Sequence, residues 1–393
     1  MKKVINNTGY IDWKNTMINT ITEIKLKKEL NLEIFQQALN DALIAYPRMA
    51  YSCMVEDGKL YCIENNLPLE VQVTDKPLLP NGGCLNDHLI SFTLWQNTLT
   101  FICNHTLTDG TGVKNFMSFL MQRYAELIDG NAMEITGPLY DVDLMNEELD
   151  ISKLDYPKDF QPDPPLVPGV KYPVGKYESA FITDSFRVNE DDFMRFVKEK
   201  KTSPSVALGA LMAKQILNAM PENDLPVNFD IVSNLRQHVG LEKTMTNCVN
   251  STFLSLSRED MKQENYMETM RATLKRRNSP DYVRYVLREM GSDIPRNHML
   301  LNPAFCISYT GKADSSNSDI VEKNNIYRMV RIRNIIEMKA QNGWFNISIA
   351  NDNPNNPLTN MLKNAFREIG LEVHEETKTI VTPENGRITI KQV

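Results

Sequence analysis

The sequence lacks the cysteine and histidine spacings that hold most protein-bound metals. None of its six cysteines forms a C-x-x-C pair, and together they suggest no disulfide framework: Cys53, Cys62, Cys84, Cys103, Cys248 and Cys306. The histidines form no H-E-x-x-H pair. We therefore expect no bound metal, and reduced thiols in a cytoplasmic protein.

An excess of positive charge, an export signal and a long apolar run are also missing. Lys and Arg number 43 against 50 Asp and Glu, and a net charge of −7 favours neither nucleic acid nor an anionic membrane as a partner. Polar Asn6 and Asn7 follow Lys2 and Lys3, where a signal peptide needs its apolar segment. The longest uncharged run includes residues 89–108, and its Ser, Thr, Asn and Gln side chains predict two strands and a turn rather than a membrane span.

The composition is that of a globular protein, with 42% hydrophobic and 24% charged residues. A chain of 393 residues is long enough for two lobes, and helical and strand patterns in both halves predict an α/β (α+β) fold. We predict an N-terminal lobe at 1–156, an extended connector at 157–176 and a C-terminal lobe at 177–393. The connector is assigned from prolines that disfavour helix and central strand: Pro157, Pro162, Pro164, Pro165, Pro168 and Pro173.

Hydrophobic periodicity predicts the individual elements. The first half is predicted to contain a strand over Asn15–Leu26, a helix over Asn31–Tyr46, hairpins over Tyr51–Ile63 and Leu89–Asn104, and a helix from Gly112. The predicted strands of the second half are Tyr177–Val188, Val227–Ser233, Val249–Leu256, Ala304–Tyr309, Met329–Met338 and Trp344–Asn351. Its predicted helices are Glu190–Lys200, Pro204–Met220, Asp260–Arg276, Asp281–Met290 and Pro357–Gly370, before a hairpin over Leu371–Val393.

The segment with the clearest chemistry lies after the second predicted hairpin. His105 ends an apolar strand face and is followed by a glycine-containing loop that opens a helix. A neutral imidazole at such a loop can act as a general base, with a rate that falls below about pH 6 to 7. The alternative for His105 is a partly buried histidine that only packs at the end of the strand. The alternative for Asp109 is a residue that only caps the following helix.

The form His-x-x-x-Asp-Gly, from His105 to Gly110, resembles the active-site motif of the coenzyme A-dependent acyltransferase superfamily. This superfamily includes chloramphenicol acetyltransferases, alcohol acetyltransferases, plant BAHD acyltransferases and condensation domains of peptide synthetases. Three further segments resemble parts of the same family: Tyr46-Pro47-Arg48-Met49, residues 202–208, and residues 229–236, which end in Asn-Leu-Arg.

The resemblance implies two similar lobes, each a mixed sheet flanked by helices, with a substrate tunnel between them. It implies that His105 removes a proton from a hydroxyl or amine acceptor as the acceptor attacks the thioester of acyl-CoA, which is a co-substrate and not a bound cofactor. Asp109 would be structural and paired with Arg236, and Gly110 would let the backbone pass close to the tunnel. Candidates for stabilising the oxyanion are Asn247, Ser308 and Thr310.

Two departures from the family keep other readings open. Asn104 stands where condensation domains usually have a second histidine. The BAHD signature Asp-Phe-Gly-Trp-Gly is absent, and Asn342-Gly343-Trp344-Phe345 is only weakly similar to it. The alternatives are a stand-alone condensation-type enzyme with a donor on an acyl or peptidyl carrier protein, and a non-catalytic binding member of the fold. Neither a third glycine nor a Walker lysine follows Gly110-Thr111-Gly112 at the required spacing, so the sequence offers no nucleotide fingerprint.

Overall fold

The computed structural model describes residues 3–5, 19–57, 59–80, 86–139, 154–172, 180–290, 301–312, 320–329, 334–351, 353 and 356–393. In the N-terminal half the elements are β1 (Lys3–Ile5), β2 (Asn19–Leu26), α1 (Leu32–Ala45), β3 (Ser52–Glu56), β4 (Lys59–Ile63), β5 (Gln72–Val73), β6 (Ile90–Trp95), β7 (Thr98–Asn104) and α2 (Gly110–Ile128).

The C-terminal half continues the mixture of strands and helices. Its elements are β8 (Phe181–Asn189), α3 (Glu190–Glu199), α4 (Pro204–Ala219), β9 (Val227–Asn234), α5 (Arg236–Val239), β10 (Val249–Leu256), α6 (Tyr266–Arg277), α7 (Pro280–Met290), β11 (Phe305–Lys312), β12 (Val321–Met329), β13 (Ile335–Gln341), β14 (Trp344–Asn351), α8 (Leu358–Glu368), β15 (His374–Glu384) and β16 (Arg387–Gln392).

Two mixed sheets carry the helices, which confirms the predicted fold class. The first sheet has the strand order β12-β2-β7-β6-β5, with a parallel contact only between β5 and β6 among its described strands. The second has the order β10-β9-β11-β13-β14-β8-β15-β16, in which β11 runs parallel to both of its neighbours. A small sheet of β1, β4 and β3 completes the first half.

The helix α1 shows how the sequence forms these elements locally. Asn31 is its N-cap, and the side chain accepts a hydrogen bond from the Ile34 amide at 3.1 Å. Phe35 and Leu39, one helical turn apart, are fully buried against the first sheet and α2. Pro47 then begins a short 3-10 turn, because it cannot continue the helix.

The prediction of one strand over Met329–Met338 is wrong. The structure has two strands there, β12 ending at Met329 and β13 beginning at Ile335, and they belong to different sheets. Alternation of side chains indicates a strand but does not identify its neighbour, so the pattern could not reveal the change of sheet. β12 comes from the C-terminal half yet pairs with β2. The division at residues 157–176 therefore does not separate the two sheets completely.

A smaller correction concerns the predicted helix over Asp260–Arg276. Residues 260–262 form a separate 3-10 turn, and α6 begins only at Tyr266. Asp260 accounts for the break, since its carboxylate accepts hydrogen bonds from the amide and hydroxyl of Ser257 and so favours a turn.

The described part of the predicted connector, residues 157–172, contains neither helix nor strand. It packs on the second half, where Phe160 contacts Tyr285 with ring centroids 5.2 Å apart. Asp163 pairs with Arg277 at 2.6 Å. Residues 173–176 lie outside the described residues. Within the described ranges, every helix is too short or too polar to cross a membrane.

Candidate active site

The loop between β7 and α2 carries His105. β7 ends at Asn104 and α2 begins at Gly110, so residues 105–109 join a strand to a helix. The wholly buried Asn104 turns the chain at this point, because its Oδ1 accepts a hydrogen bond from the Thr106 amide at 2.9 Å. His105 therefore stands at the end of the strand, as its sequence position predicted.

Asp109 caps α2 and also pairs with Arg236. Its Oδ1 accepts hydrogen bonds from the amides of Thr111 at 3.0 Å and Gly112 at 3.1 Å. The Arg236 guanidinium donates to Oδ2 at 2.9 Å and to Oδ1 at 3.0 Å, and the Cys248 amide donates to Oδ2 at 2.8 Å. The two charged residues are only 2% and 3% exposed. The cap and the ion pair, which were alternatives in the sequence, are both present.

Arg236 also fixes the segment that follows it. Its Nε donates to the Thr244 carbonyl and its Nη2 to the Thr246 carbonyl, each at 2.9 Å. The Thr108 hydroxyl donates to the Met245 carbonyl at 2.5 Å. Residues 244–248 are thereby held against the loop that carries His105.

The surroundings of His105 keep its imidazole neutral. Nδ1 lies 3.2 Å from the amide nitrogen of Asn247. Burial lowers the pKa of His105, the positive charge of Arg328 lowers it further, and the resulting pKa is about 4. A hydrogen bond to its own main chain and the charges of Asp109 and Glu337 act in the opposite direction. The sequence-based expectation was a neutral imidazole at the end of an apolar strand face that protonates near pH 6 to 7. It could not include the charge of Arg328, and a pKa of about 4 moves protonation to lower pH.

Arg48 supports the same loop from the N-terminal side. It is 2% exposed, and its Nε donates to the Leu107 carbonyl at 2.9 Å. Its Nη2 lies 3.6 Å from Cys62 Sγ. In the sequence Arg48 was marked only as part of the family-like segment Tyr46-Pro47-Arg48-Met49. Its contact with the loop could not be predicted from that segment.

The glycine that packing requires is Gly112 rather than Gly110. A Cβ at Gly112 would overlap the Thr108 hydroxyl and lie 3.2 Å from the Met245 carbonyl oxygen. A Cβ at Gly110 would meet no described atom within 4 Å. Packing inside the protein therefore gives no reason for Gly110, whose predicted role beside a tunnel depends on substrate.

The three oxyanion candidates occupy different places. Asn247 contacts His105 directly. Ser308 lies on β11, in register with Glu337 on β13. Thr310 lies farther along β11, where its hydroxyl donates to the Met338 carbonyl at 3.5 Å. The structure thus joins Asn247 to the loop and leaves Ser308 and Thr310 on the second sheet.

Arg328 and Glu337 are site residues that the sequence analysis missed. Arg328 on β12 and Glu337 on β13 form an ion pair of 2.5 Å, and both are buried. No motif marks either residue, because they become neighbours only through the change of sheet between these strands.

The nearby thiols are poor nucleophiles. Burial raises the pKa of Cys103 to about 12 and that of Cys248 to about 11. Cys103, which is 1% exposed, is accordingly part of the inert core. Among the residues that the structure describes, no cluster of His, Cys, Asp and Glu side chains could hold a metal ion.

No protein-family model matches the sequence, and no curated protein sequence does. Solved structures do match. TRI101 of F. sporotrichioides, complexed with coenzyme A and T-2, is 12% identical with a TM-score of 0.66, over 95% of this chain and 99% of that one. Polyketide synthase associated protein 5 of Mycobacterium tuberculosis is 15% identical with a TM-score of 0.65, over 92% and 97%. The first condensation domain of the CDA synthetase is 13% identical with a TM-score of 0.64, over 90% of each chain.

These matches cover nearly the whole chain in each case. The chain has the two-lobed chloramphenicol acetyltransferase-like fold shared by coenzyme A-dependent acyltransferases and condensation domains. The resemblance drawn from the motif segments is confirmed at the level of the fold.

Proposed function

We propose that this protein is an acyltransferase that moves an acyl group from acyl-CoA to a hydroxyl or amine of a small acceptor. The observation that carries the proposal is His105, a neutral imidazole on a loop anchored by the buried Asp109–Arg236 pair. A neutral imidazole is the form that accepts a proton, and a fixed loop keeps it in line with the reacting atoms. We place the substrate tunnel between the lobes, beside this loop.

The proposed reaction needs one group to accept and return a proton. The oxygen or nitrogen of the acceptor bonds to the thioester carbonyl carbon, and His105 takes the proton that this atom loses. The tetrahedral intermediate then collapses, the carbon–sulfur bond breaks, and the imidazolium returns the proton to the leaving sulfur. The products are an ester or amide and the free thiol of coenzyme A.

Asn247 fits a role in orienting His105 better than an oxyanion role. Proton removal by Nε2 requires the ring to carry its other proton on Nδ1, which then needs an acceptor. The main chain of His105, with which the ring forms a hydrogen bond, is one acceptor, and Asn247 is a second if its amide presents Oδ1 to Nδ1, an orientation that differs from the assigned one only by a flip of the amide. Ser308 and Thr310 remain the oxyanion candidates.

The donor is the point on which two activities of this fold differ. TRI101 was crystallised with coenzyme A, whereas condensation domains are the alternative precedent. Asn104 lies at the position of the extra condensation-domain histidine. It is buried, and its Oδ1 accepts a hydrogen bond from the Thr106 amide. Asn104 therefore has a structural role in the loop and does not replace the second histidine of condensation domains. This difference favours acyl-CoA as the donor.

Release of free thiol tests the proposal. The full chain is incubated with a panel of acyl-CoA esters, with and without mixed alcohols and amines, and His105→Ala serves as the control. Acceptor-dependent release that the control loses is the expected result. Release only from an acyl-loaded carrier protein would support the condensation-type alternative, and no release from either donor would favour a binding protein.

A further inference from the structure

β12 brings a charged side chain of the C-terminal half to the sheet that carries His105. In the first sheet Arg328 is in register with Thr20 on β2, and Thr20 is in register with Cys103 on β7. Residues in one transverse row project from the same face of a sheet, with neighbouring strands about 4.8 Å apart. Arg328 therefore lies in the row of Cys103, two residues before His105.

Arg328 contacts both sheets at this place. Its Nη1 donates to the Thr20 hydroxyl, and its Nη2 donates to Glu337 Oε1 on the second sheet at 2.5 Å. Burial by itself would lower the pKa of Arg328, but the charge and hydrogen bond of Glu337 outweigh it and raise the pKa. The guanidinium is thus a permanent positive charge at the junction of the two sheets.

Stability alone does not explain a pair of this kind. Both side chains are more than nine-tenths buried, and the desolvation of two charges cancels much of their attraction. Well-packed apolar side chains of similar volume often replace such pairs with little or no loss of stability. The position of the pair beside the His105 loop calls for a different explanation.

We propose that Arg328 and Glu337 are positioning residues, which set a fixed positive charge near His105 and tie the first sheet, through β12 and β2, to the second sheet. For its rate consequences this inference rests on the proposed acyl transfer. The positive charge of Arg328 disfavours protonation of the imidazole. His105 therefore stays in the neutral, proton-accepting form in acid as well as at neutral pH.

Among the residues that the structure describes, the charges acting on the His105 ring are those of Arg328, Asp109 and Glu337. Asp109, at the start of α2, is paired with Arg236 on α5, so these two charges largely compensate each other. Arg328 on β12 and Glu337 on β13 act on His105 with opposite signs, and the effect of Arg328 is the larger. Arg328→Gln should therefore raise the pKa of His105, and Glu337→Gln should lower it.

The decisive measurement is the titration of the His105 ring protons by NMR, assigned with His105→Ala. With a pKa of about 4, about one-tenth of His105 is protonated at pH 5. In Arg328→Gln a rise of about one unit, typical of removing a nearby like charge, would make that fraction about one-half. The double variant R328Q/E337Q leaves no charge unpaired, which protects the fold, and should show a smaller rise in the same direction.

The exposed pair Lys25–Glu322 provides a matched control. It joins the same two strands, with N and O 3.1 Å apart, but its side chains are about half exposed. K25Q/E322Q should leave the His105 titration unchanged. An unchanged titration in both R328Q and R328Q/E337Q would overturn the inference. Because the readout does not use turnover, loss of the proposed acyl transfer would leave this test intact.

Discussion

Replacing Asp109 by Asn tests whether the buried ion pair or the helix cap matters at this position. The carboxylate accepts five hydrogen bonds, from Thr111, Gly112, Cys248 and both Nη atoms of Arg236. Asparagine caps helices about as well as aspartate. Its amide nitrogen, however, would face at least two donors in either orientation, and the Arg236 charge would lose its partner.

The expected loss of stability follows from that uncompensated charge. Breaking a buried ion pair by removing one partner costs about 3–5 kcal/mol, against about 1 kcal/mol for the loss of a cap alone. Asn189 is a matched control, because its side chain caps α3 through one hydrogen bond to the Asp192 amide at 3.0 Å and carries no ion pair. Asn189→Ala should therefore cost only about 1 kcal/mol.

Denaturant unfolding of D109N, R236M and the double variant measures the coupling. A coupling energy above about 1 kcal/mol is expected, because each single change leaves a buried group without its partner. The reasoning is refuted if D109N unfolds within about 0.5 kcal/mol of the parent protein, or if the effects of the two single changes add. In that case Asp109 acts as a cap and Arg236 has another role.

Three further predictions concern the loop and the first turn of α2. His105→Ala should lower kcat by about 10²–10⁴-fold with little change in stability, measured by thiol release and thermal unfolding; near-normal turnover would mean another base. The pH profile of kcat/KM should stay flat from pH 7 to about 5 and fall only near pH 4, and a midpoint near 6.5 would contradict the lowered pKa of His105. Gly112→Ala should lower stability by about 1–3 kcal/mol, because its Cβ overlaps the Thr108 hydroxyl, whereas Gly110→Ala should change stability little.

The sequence predicted most elements and the part of the site between His105 and Gly110, because these features are local. The helix cap at Asn31, the hairpin turns and the strand that ends at Asn104 each depend on a few neighbouring residues. The contact of Asp109 with Arg236 spans 127 residues and came from the family resemblance, not from spacing.

The rest depends on which strands become neighbours. Nothing in the alternation of β12 distinguishes a strand of the first sheet from one of the second, so the place of Arg328 beside the His105 loop was invisible. The extent to which the pKa of His105 is lowered could not be predicted for the same reason. Its two largest causes, burial and Arg328, are both set by tertiary contacts.

One buried ion pair holds the loop that carries His105 and a second lies near it, and the desolvation cost of such pairs limits how far stability alone explains them. Asp109–Arg236 holds the end of the loop, and Arg328–Glu337 lies beside its beginning, with all four side chains almost wholly buried. Such pairs add little net stability, but a charged hydrogen-bonded pair tolerates only a narrow geometry. Apolar replacements could therefore preserve the fold while the loop loses its fixed position. Turnover should be more sensitive than unfolding to such changes, because transfer chemistry depends on the placement of the imidazole to within a fraction of an ångström.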